Sequence, residues 1–217
     1  MRIPFSRQAF FEVFEAYNLA VWPAQILLIA LAVAALVTVI RPVRHGDATI
    51  AAILAAFWMW MGVVYHMVYF TAINPAAWGF GTLFVLQGLV FLFAGVYRGR
   101  LSFRYRSGAV AHLGSILILY ALLIYPLLGY LLGHRYPESP TFGLPCPTTI
   151  FTFGLLLWTD RKVPYYVLII PVLWAVVGFS AALSLGVLED IGLLVAAVVA
   201  VGALRVRNRS RPEKAAV

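Results

Sequence analysis

The chain has 217 residues, of which 63% are hydrophobic and only 11% are charged, and its mean hydropathy is +0.94. Soluble domains average about 45–50% apolar and about 25% charged residues, so this composition excludes a soluble globular protein and predicts an all-α polytopic membrane protein with the lipid bilayer as its main partner. The formal net charge of +8 would suit nucleic acid only if the cations shared one water-facing surface. Their spacing, given below, argues against that partner.

A short helix is predicted at about residues 5–17, ahead of the first apolar segment. Ser6 is a suitable N-cap, and Phe10, Val13 and Phe14 fall on one side of the helix with the charged residues elsewhere. This pattern is typical of an amphipathic helix that lies at the membrane interface.

Seven apolar segments of spanning length follow, and they predict seven transmembrane helices in a single domain that covers residues 1–217. The segments lie at about 18–40, 48–70, 72–97, 108–133, 143–160, 164–186 and 188–205, before a basic tail at 206–217. With seven spans, 13 of the 16 lysines and arginines fall on the side of the C-terminus and three on the other side. Cationic residues concentrate on the cytoplasmic side, so the N-terminus is predicted outside and the C-terminus in the cytoplasm.

Small residues recur at helical spacing in several segments. Gly81, Gly88 and Gly95 repeat every seven residues in the third segment. Such residues let helix backbones approach closely in lipid. These faces suit either a neighbouring helix of the same chain or a second copy in a homo-oligomer.

The fifth segment is the most informative because prolines interrupt its beginning. Pro147 suits the first position of a helix, and the 14 residues from there to Asp160 would extend about 20 Å. The hydrocarbon layer is about 30 Å thick, so this helix is predicted to begin inside the membrane. Irregular backbone at that depth is tolerated where it packs in protein or lines a cavity, and broken spans are typical of transporter binding sites.

Cys146 would then be the N-cap, where free amides and the helix dipole favour an anion or a thiolate. Together with His66 it offers sulfur and imidazole, which are ligands for soft metals, and histidine also allows haem. The spacing fixes no ligand set, so the cofactor stays unknown. In the alternative interpretation Cys146 is a small apolar core residue and His66 is hydrogen-bonded to a neighbour.

Polar residues in or near the segments concentrate toward the predicted outer side, where burying them unpaired would cost several kcal/mol. They predict an outward-facing polar pocket, although polar residues at the ends of helices would give the same pattern. The candidate binding residues are Asn18, His66, Asn74, Gln87, His134, Arg135, Cys146, Thr148, Thr149 and Asp190.

The leading hypothesis is the binding and transport of a small solute or ion through this pocket, at the broken fifth helix. The alternatives are a membrane-embedded metal, haem or thiol redox protein that uses Cys146 and His66, and a structural subunit without a ligand. Catalytic triads, phosphate loops and HExxH sites are absent from the sequence, so no catalytic residue is predicted and an enzyme is disfavoured.

Several short strings resemble a bacterial membrane family known only as a domain of unknown function. They are Tyr17-Asn18, Trp22-Pro23, Trp58-x-Trp60-Met61-Gly62, Tyr65-His66, Asn74-Pro75-Ala76, and His134-Arg135-Tyr136-Pro137 with Pro145-Cys146-Pro147-Thr148-Thr149. The resemblance runs through most of the chain and implies a multi-pass protein of the bacterial inner membrane. It implies no activity and no site residue.

Overall fold

The computed structural model describes residues 4–209, which form helices and no β-strand. The helices are α1 Arg7–Val21, α2 Ala24–Ile40, α3 Gly46–Ala72, α4 Ala77–Tyr97, α5 Ala109–Leu131, α6 Pro145–Leu157, α7 Tyr165–Leu185 and α8 Ile191–Arg209. Wider π-helical turns occur within α3, α4 and α5. The all-α class is therefore confirmed for this part of the chain.

Four of these helices, α3, α4, α5 and α7, are long and apolar enough to cross a membrane. A fifth crossing is obtained if α1 and α2 count as one bent span, and α6 is apolar but has only 13 residues. Several such helices indicate a membrane protein. Seven spans and their orientation remain predictions.

The first predicted segment, 18–40, is not one straight helix. The first helix runs on to Val21 instead of ending near residue 17, and α2 leaves it at an angle of 84°. The break falls at Trp22, whose backbone is extended, and Pro23. Proline lacks an amide hydrogen and disfavours helix at the preceding residue, which accounts for the bend.

The first helix begins as the sequence predicts, because the backbone N–H of Ala9 donates to the Ser6 Oγ at 3.1 Å. Its apolar side is buried against the rest of the protein: Phe10 and Phe14 pack with Tyr65 and Phe70 of α3. α1 therefore covers one end of α3.

The glycine stripe of α4 packs against α3. A methyl group at Gly81 would lie 2.7 Å from the carbonyl oxygen of Gly62, and one at Gly88 would lie 2.6 Å from the Met59 Cγ. Gly95 faces Ala51. The stripe therefore brings two helices of the same chain together, and it lends no support to a second copy.

The short helix α6 lies in the interior, where every residue except Cys146 is buried. Its carboxyl end is held by Arg207 of α8, whose guanidinium donates to the carbonyl oxygens of Leu157 at 3.2 Å and Thr159 at 2.5 Å. The last carbonyl groups of a helix lack partners within it, so Arg207 supplies donors that the buried end needs.

The bundle has two chemically different ends. At one end the connections α2–α3, α4–α5 and α6–α7 meet, and two ion pairs join them: Asp47–Arg104 at 2.8 Å and Arg106–Asp160 at 3.3 Å. At the other end lie α1 and the connections α3–α4, α5–α6 and α7–α8. The amino end of α6 belongs to this second end.

Candidate functional site

A cavity of about 310 Å³ lies at the amino end of α6, between α1, α3, α4, α5, α7 and the turn before α8. Its wall is mostly apolar and includes eight aromatic side chains. The lining residues nearest to the beginning of α6 are Leu144, Pro145, Cys146 and Pro147, and those on the facing elements include Tyr65, Phe80, Tyr125, Trp174, Gly178 and Asp190. The sequence predicted a polar pocket here, whereas the structure has an aromatic one with few polar groups.

The principal polar group on the wall is the carboxylate of Asp190, a residue that is 5% exposed. The hydroxyl of Tyr125 donates a hydrogen bond to it, and the thiol of Cys146 lies beside it. No ion pair within residues 4–209 involves Asp190. The described part of the cavity wall thus has a buried carboxylate with neutral donors and no cationic side chain.

Gly178 of α7 makes room for the thiol. A methyl group there would lie 3.6 Å from the Cys146 Sγ, 3.7 Å from the Trp174 Nε1 and 2.8 Å from the Leu193 Cδ2. Any larger side chain would therefore occupy the space beside the thiol.

The amino end of α6 differs from the prediction in register. Leu144 is the N-cap, Pro145 is the first helical residue and Cys146 the second, so the helix begins two residues earlier than predicted. Pro145 and Pro147 have no amide hydrogen, and the N–H of Thr148 already donates to the Leu144 carbonyl. Only the amide of Cys146 is left in the first turn, and a neighbouring carboxylate disfavours a second negative charge. This end of the helix therefore offers little to an anion or a thiolate.

Asn18 lies off the cavity and holds the chain that leads into α6. Its side-chain amide donates to the carbonyl oxygens of Pro137 at 2.6 Å and Ser139 at 2.8 Å. Its Oδ1 accepts from Gln25 at 2.7 Å and from Thr141 at 2.8 Å. Asn18 is fully buried, so the structure gives it an anchoring role.

His134 and Arg135 also lie away from the cavity. The Nδ1 of His134 is 2.7 Å from the Oε1 of Glu189, and both side chains are buried. Arg135 is exposed, with its guanidinium 5.0 Å from the centre of the Tyr130 ring. These residues connect the α5–α6 segment to its neighbours.

The remaining polar candidates are split between the core and the cavity wall. Thr148 accepts from the Gly143 amide at 3.0 Å, Gln87 donates to the Val167 carbonyl at 3.0 Å, and Thr149 is buried; none of the three lines the cavity. Asn74 does line it, and its side chain accepts from the Ala76 amide at 3.1 Å. Of the ten candidates, Asn74, Cys146 and Asp190 are on the wall.

His66 lies behind the wall in an aromatic cluster. Its ring centre is 4.6 Å from that of Phe84 and 5.1 Å from that of Trp174. It is fully buried, and neither ring nitrogen has a hydrogen-bond partner in the described chain. The structure therefore does not provide the hydrogen-bonding neighbour that the alternative interpretation of His66 requires.

The metal hypothesis finds no ligand group in the described structure. Within residues 4–209 no three His, Cys, Asp or Glu side chains are grouped so that they could hold a metal ion. Cys146 has Asp190 as its acidic neighbour, whereas His66 is enclosed by aromatic rings.

Two residues of the site escaped the sequence reasoning. Tyr125 was part of the fourth apolar segment, and nothing in that pattern indicated that it would face Asp190. Gly178 was part of the sixth apolar segment, and that pattern did not place it beside Cys146. Both depend on how α5, α7 and α8 pack, which residue spacing along one helix does not reveal.

Comparison with known proteins adds a family but no activity. The model of a family of unknown function (DUF6064) matches residues 7–214, which confirms the resemblance found in the sequence strings. No curated protein and no protein of solved structure matches the chain.

Proposed function

Because the chain belongs to DUF6064, a family of unknown function, we propose from the site itself that the protein binds a small solute in the cavity at the amino end of α6 and carries it across a bacterial inner membrane. The observation that supports the proposal most is the cavity, which combines aromatic walls with the buried Asp190 and the thiol of Cys146. Ligand sites are typically concave and mostly apolar, with a few polar groups that fix orientation.

The proposed membrane arrangement has seven crossings, with α2 as the first and the short α6 as the fifth. The end that carries Arg104, Arg106 and Arg161 would face the cytoplasm by the positive-inside rule. The cavity end would then face outward, with the N-terminus outside and the C-terminus inside. α1 would lie at the outer interface, where Phe10 and Phe14 close one side of the cavity.

The aromatic wall changes the expected solute from a polar one to a largely apolar one with a single polar group. A binding site must match the polarity of its ligand because a buried polar group without a partner is costly. Asp190 is placed to contact that polar group, and Cys146 lies next to it.

The accessibility of the single cysteine tests the binding site. In membrane vesicles a small uncharged maleimide should modify Cys146, which is only partly buried, and Gly178→Leu should slow the reaction about ten-fold or more by filling the space beside the thiol. Gly202→Leu is the matched control, since nothing lies within 4 Å of that position. A modification rate that Gly178→Leu leaves unchanged would contradict a cavity at this thiol.

Transport is tested with proteoliposomes incubated with a small-molecule extract of bacteria. The contents of vesicles with the wild-type protein and with the Gly178→Leu protein are compared by mass spectrometry. The wild-type vesicles should accumulate at least one solute that the Gly178→Leu vesicles do not. Identical contents would refute the transport proposal.

A further inference from the structure

We infer that the solute is a small aromatic or alkyl amine, whose ammonium group pairs with Asp190 while its apolar part occupies the aromatic cavity. This assignment of a ligand class rests on the proposed function. It is carried by three features of the site: the partners of the carboxylate, the aromatic wall and the amino end of α6.

The two adjacent acids before α8 have different partners. Glu189 is matched within the chain, since its Oε1 lies 2.7 Å from the Nδ1 of His134. Asp190 is on the cavity wall, and the groups of residues 4–209 that donate hydrogen bonds to it are neutral ones, the hydroxyl of Tyr125 and the thiol of Cys146. A buried carboxylate is costly unless a positive charge is brought to it, and the cavity is the open side from which a cationic ligand can approach.

The arginines that the structure describes at this end of the bundle do not supply that charge. Arg7 lies near Gly186 and is exposed, and Arg135 lies over Tyr130 and is exposed as well. Neither lines the cavity. Within residues 4–209 Asp190 therefore has no cationic side-chain partner, which suits a carboxylate that binds a ligand.

The aromatic wall suits the same ligand. Organic cations are attracted to the faces of aromatic rings, most strongly to tryptophan and when water is excluded. Trp174 and Phe80 form an edge-to-face pair at 5.6 Å on one side of the cavity, and Tyr65 stacks on Phe70 at 5.6 Å. An amine with a ring or an alkyl chain could contact these rings and the carboxylate together.

An anionic solute lacks comparable support. The prolines at positions 145 and 147 remove amide donors from the first turn of α6, and Asp190 would repel an anion. A cavity of about 310 Å³ is at the lower end of ligand pockets, so the amine should be small, with one ring or a short chain.

The test uses three ligands of similar shape and different charge: phenylpropylamine, phenylpropanol and phenylpropionate. Binding to the purified protein in nanodiscs of uncharged lipid is measured by calorimetry near neutral pH, with empty nanodiscs as the background. The amine is protonated under these conditions and should bind at least about ten-fold more tightly than the alcohol, while the acid should bind most weakly. Equal or tighter binding of the alcohol or the acid would overturn the inference but leave the cavity as a binding site. Absence of binding by all three would overturn both the inference and the proposed site.

Three variants test which side chains produce the preference for the amine. Asp190→Asn keeps an oxygen that can accept from Tyr125, and it should abolish the preference for the amine while the alcohol still binds, which also reports that the fold is intact. Glu189→Gln removes a carboxylate one residue away and should retain the preference. A third variant, Trp174→Leu, should reduce the preference severalfold without abolishing it. Retention of the full preference in Asp190→Asn would overturn the inference.

Discussion

Replacement of Asn18 by alanine should destabilise the protein and disorder the entry to α6. The side chain makes four hydrogen bonds, two to backbone carbonyl oxygens of the preceding loop and two with Gln25 and Thr141. Each such bond contributes about 0.5–1.5 kcal/mol net, which brackets the loss at about 2–6 kcal/mol. Gln25 still donates to Thr141 at 3.2 Å, so part of the network survives and we expect about 3 kcal/mol.

The assay is reversible unfolding in mixed detergent micelles, together with limited proteolysis of the segment between α5 and α6. Gln8→Ala is the matched control, because it removes an exposed amide on the same helix that donates to Glu12, one turn away. It should change the free energy of unfolding by less than about 0.5 kcal/mol. If Asn18→Ala lowered solute binding with unchanged stability and proteolysis, Asn18 would be a ligand-binding residue and the anchoring role would be wrong.

The other predictions concern the α3–α4 contact and the imidazole behind the cavity. Gly62→Ala places a methyl group 2.7 Å from a backbone oxygen of α4 and should lower the free energy of unfolding by about 1–3 kcal/mol. Gly79→Ala is the control and should not lower it, because nothing lies within 4 Å of that position. Equal effects of the two changes would show that the helices can separate freely. His66→Leu removes a buried imidazole that has no hydrogen-bond partner among residues 4–209, and it should raise the free energy of unfolding by about 1 kcal/mol. His112→Leu, at an exposed position, should have little effect. A loss above about 2 kcal/mol in His66→Leu would reveal a partner such as a metal ion.

The order and the approximate bounds of the helices could be predicted because they follow from composition along the chain. Long apolar runs with few charges define α3, α4, α5 and α7, and Ser6 marks the beginning of α1. The short α6 was also predictable, since its prolines and the acid at 160 limit its length. Its first residue was predicted two positions too late because Pro145 and Pro147 both suit the first turn of a helix, and the local sequence does not choose between them.

The roles of the polar residues could be predicted far less well. A polar side chain near the end of an apolar segment can bind a ligand or a backbone carbonyl, and the two uses require the same residue types. Asn18 binds backbone carbonyl groups and His134 pairs with Glu189, so both have structural roles, while Asp190 lies on the cavity wall. The choice depends on which loop lies opposite, and that is set by contacts between residues more than 100 positions apart for Asn18.

The shortness of α6 explains both the polar belt and the cavity. The helix begins at Pro145, so the chain before it is not helical and its backbone carbonyl groups have no partners within a helix. Where these carbonyl groups are buried, they need hydrogen-bond donors from elsewhere in the protein. Asn18 supplies donors to Pro137 and Ser139, so polar residues collect at this end for structural reasons. Because α6 has only 13 residues, it leaves the volume beyond its amino end unfilled, and aromatic side chains from α1, α3, α4, α5 and α7 surround that volume without filling it. Asp190 faces that volume. It differs from Asn18 and His134 because no loop carbonyl and no cationic side chain of residues 4–209 pairs with it.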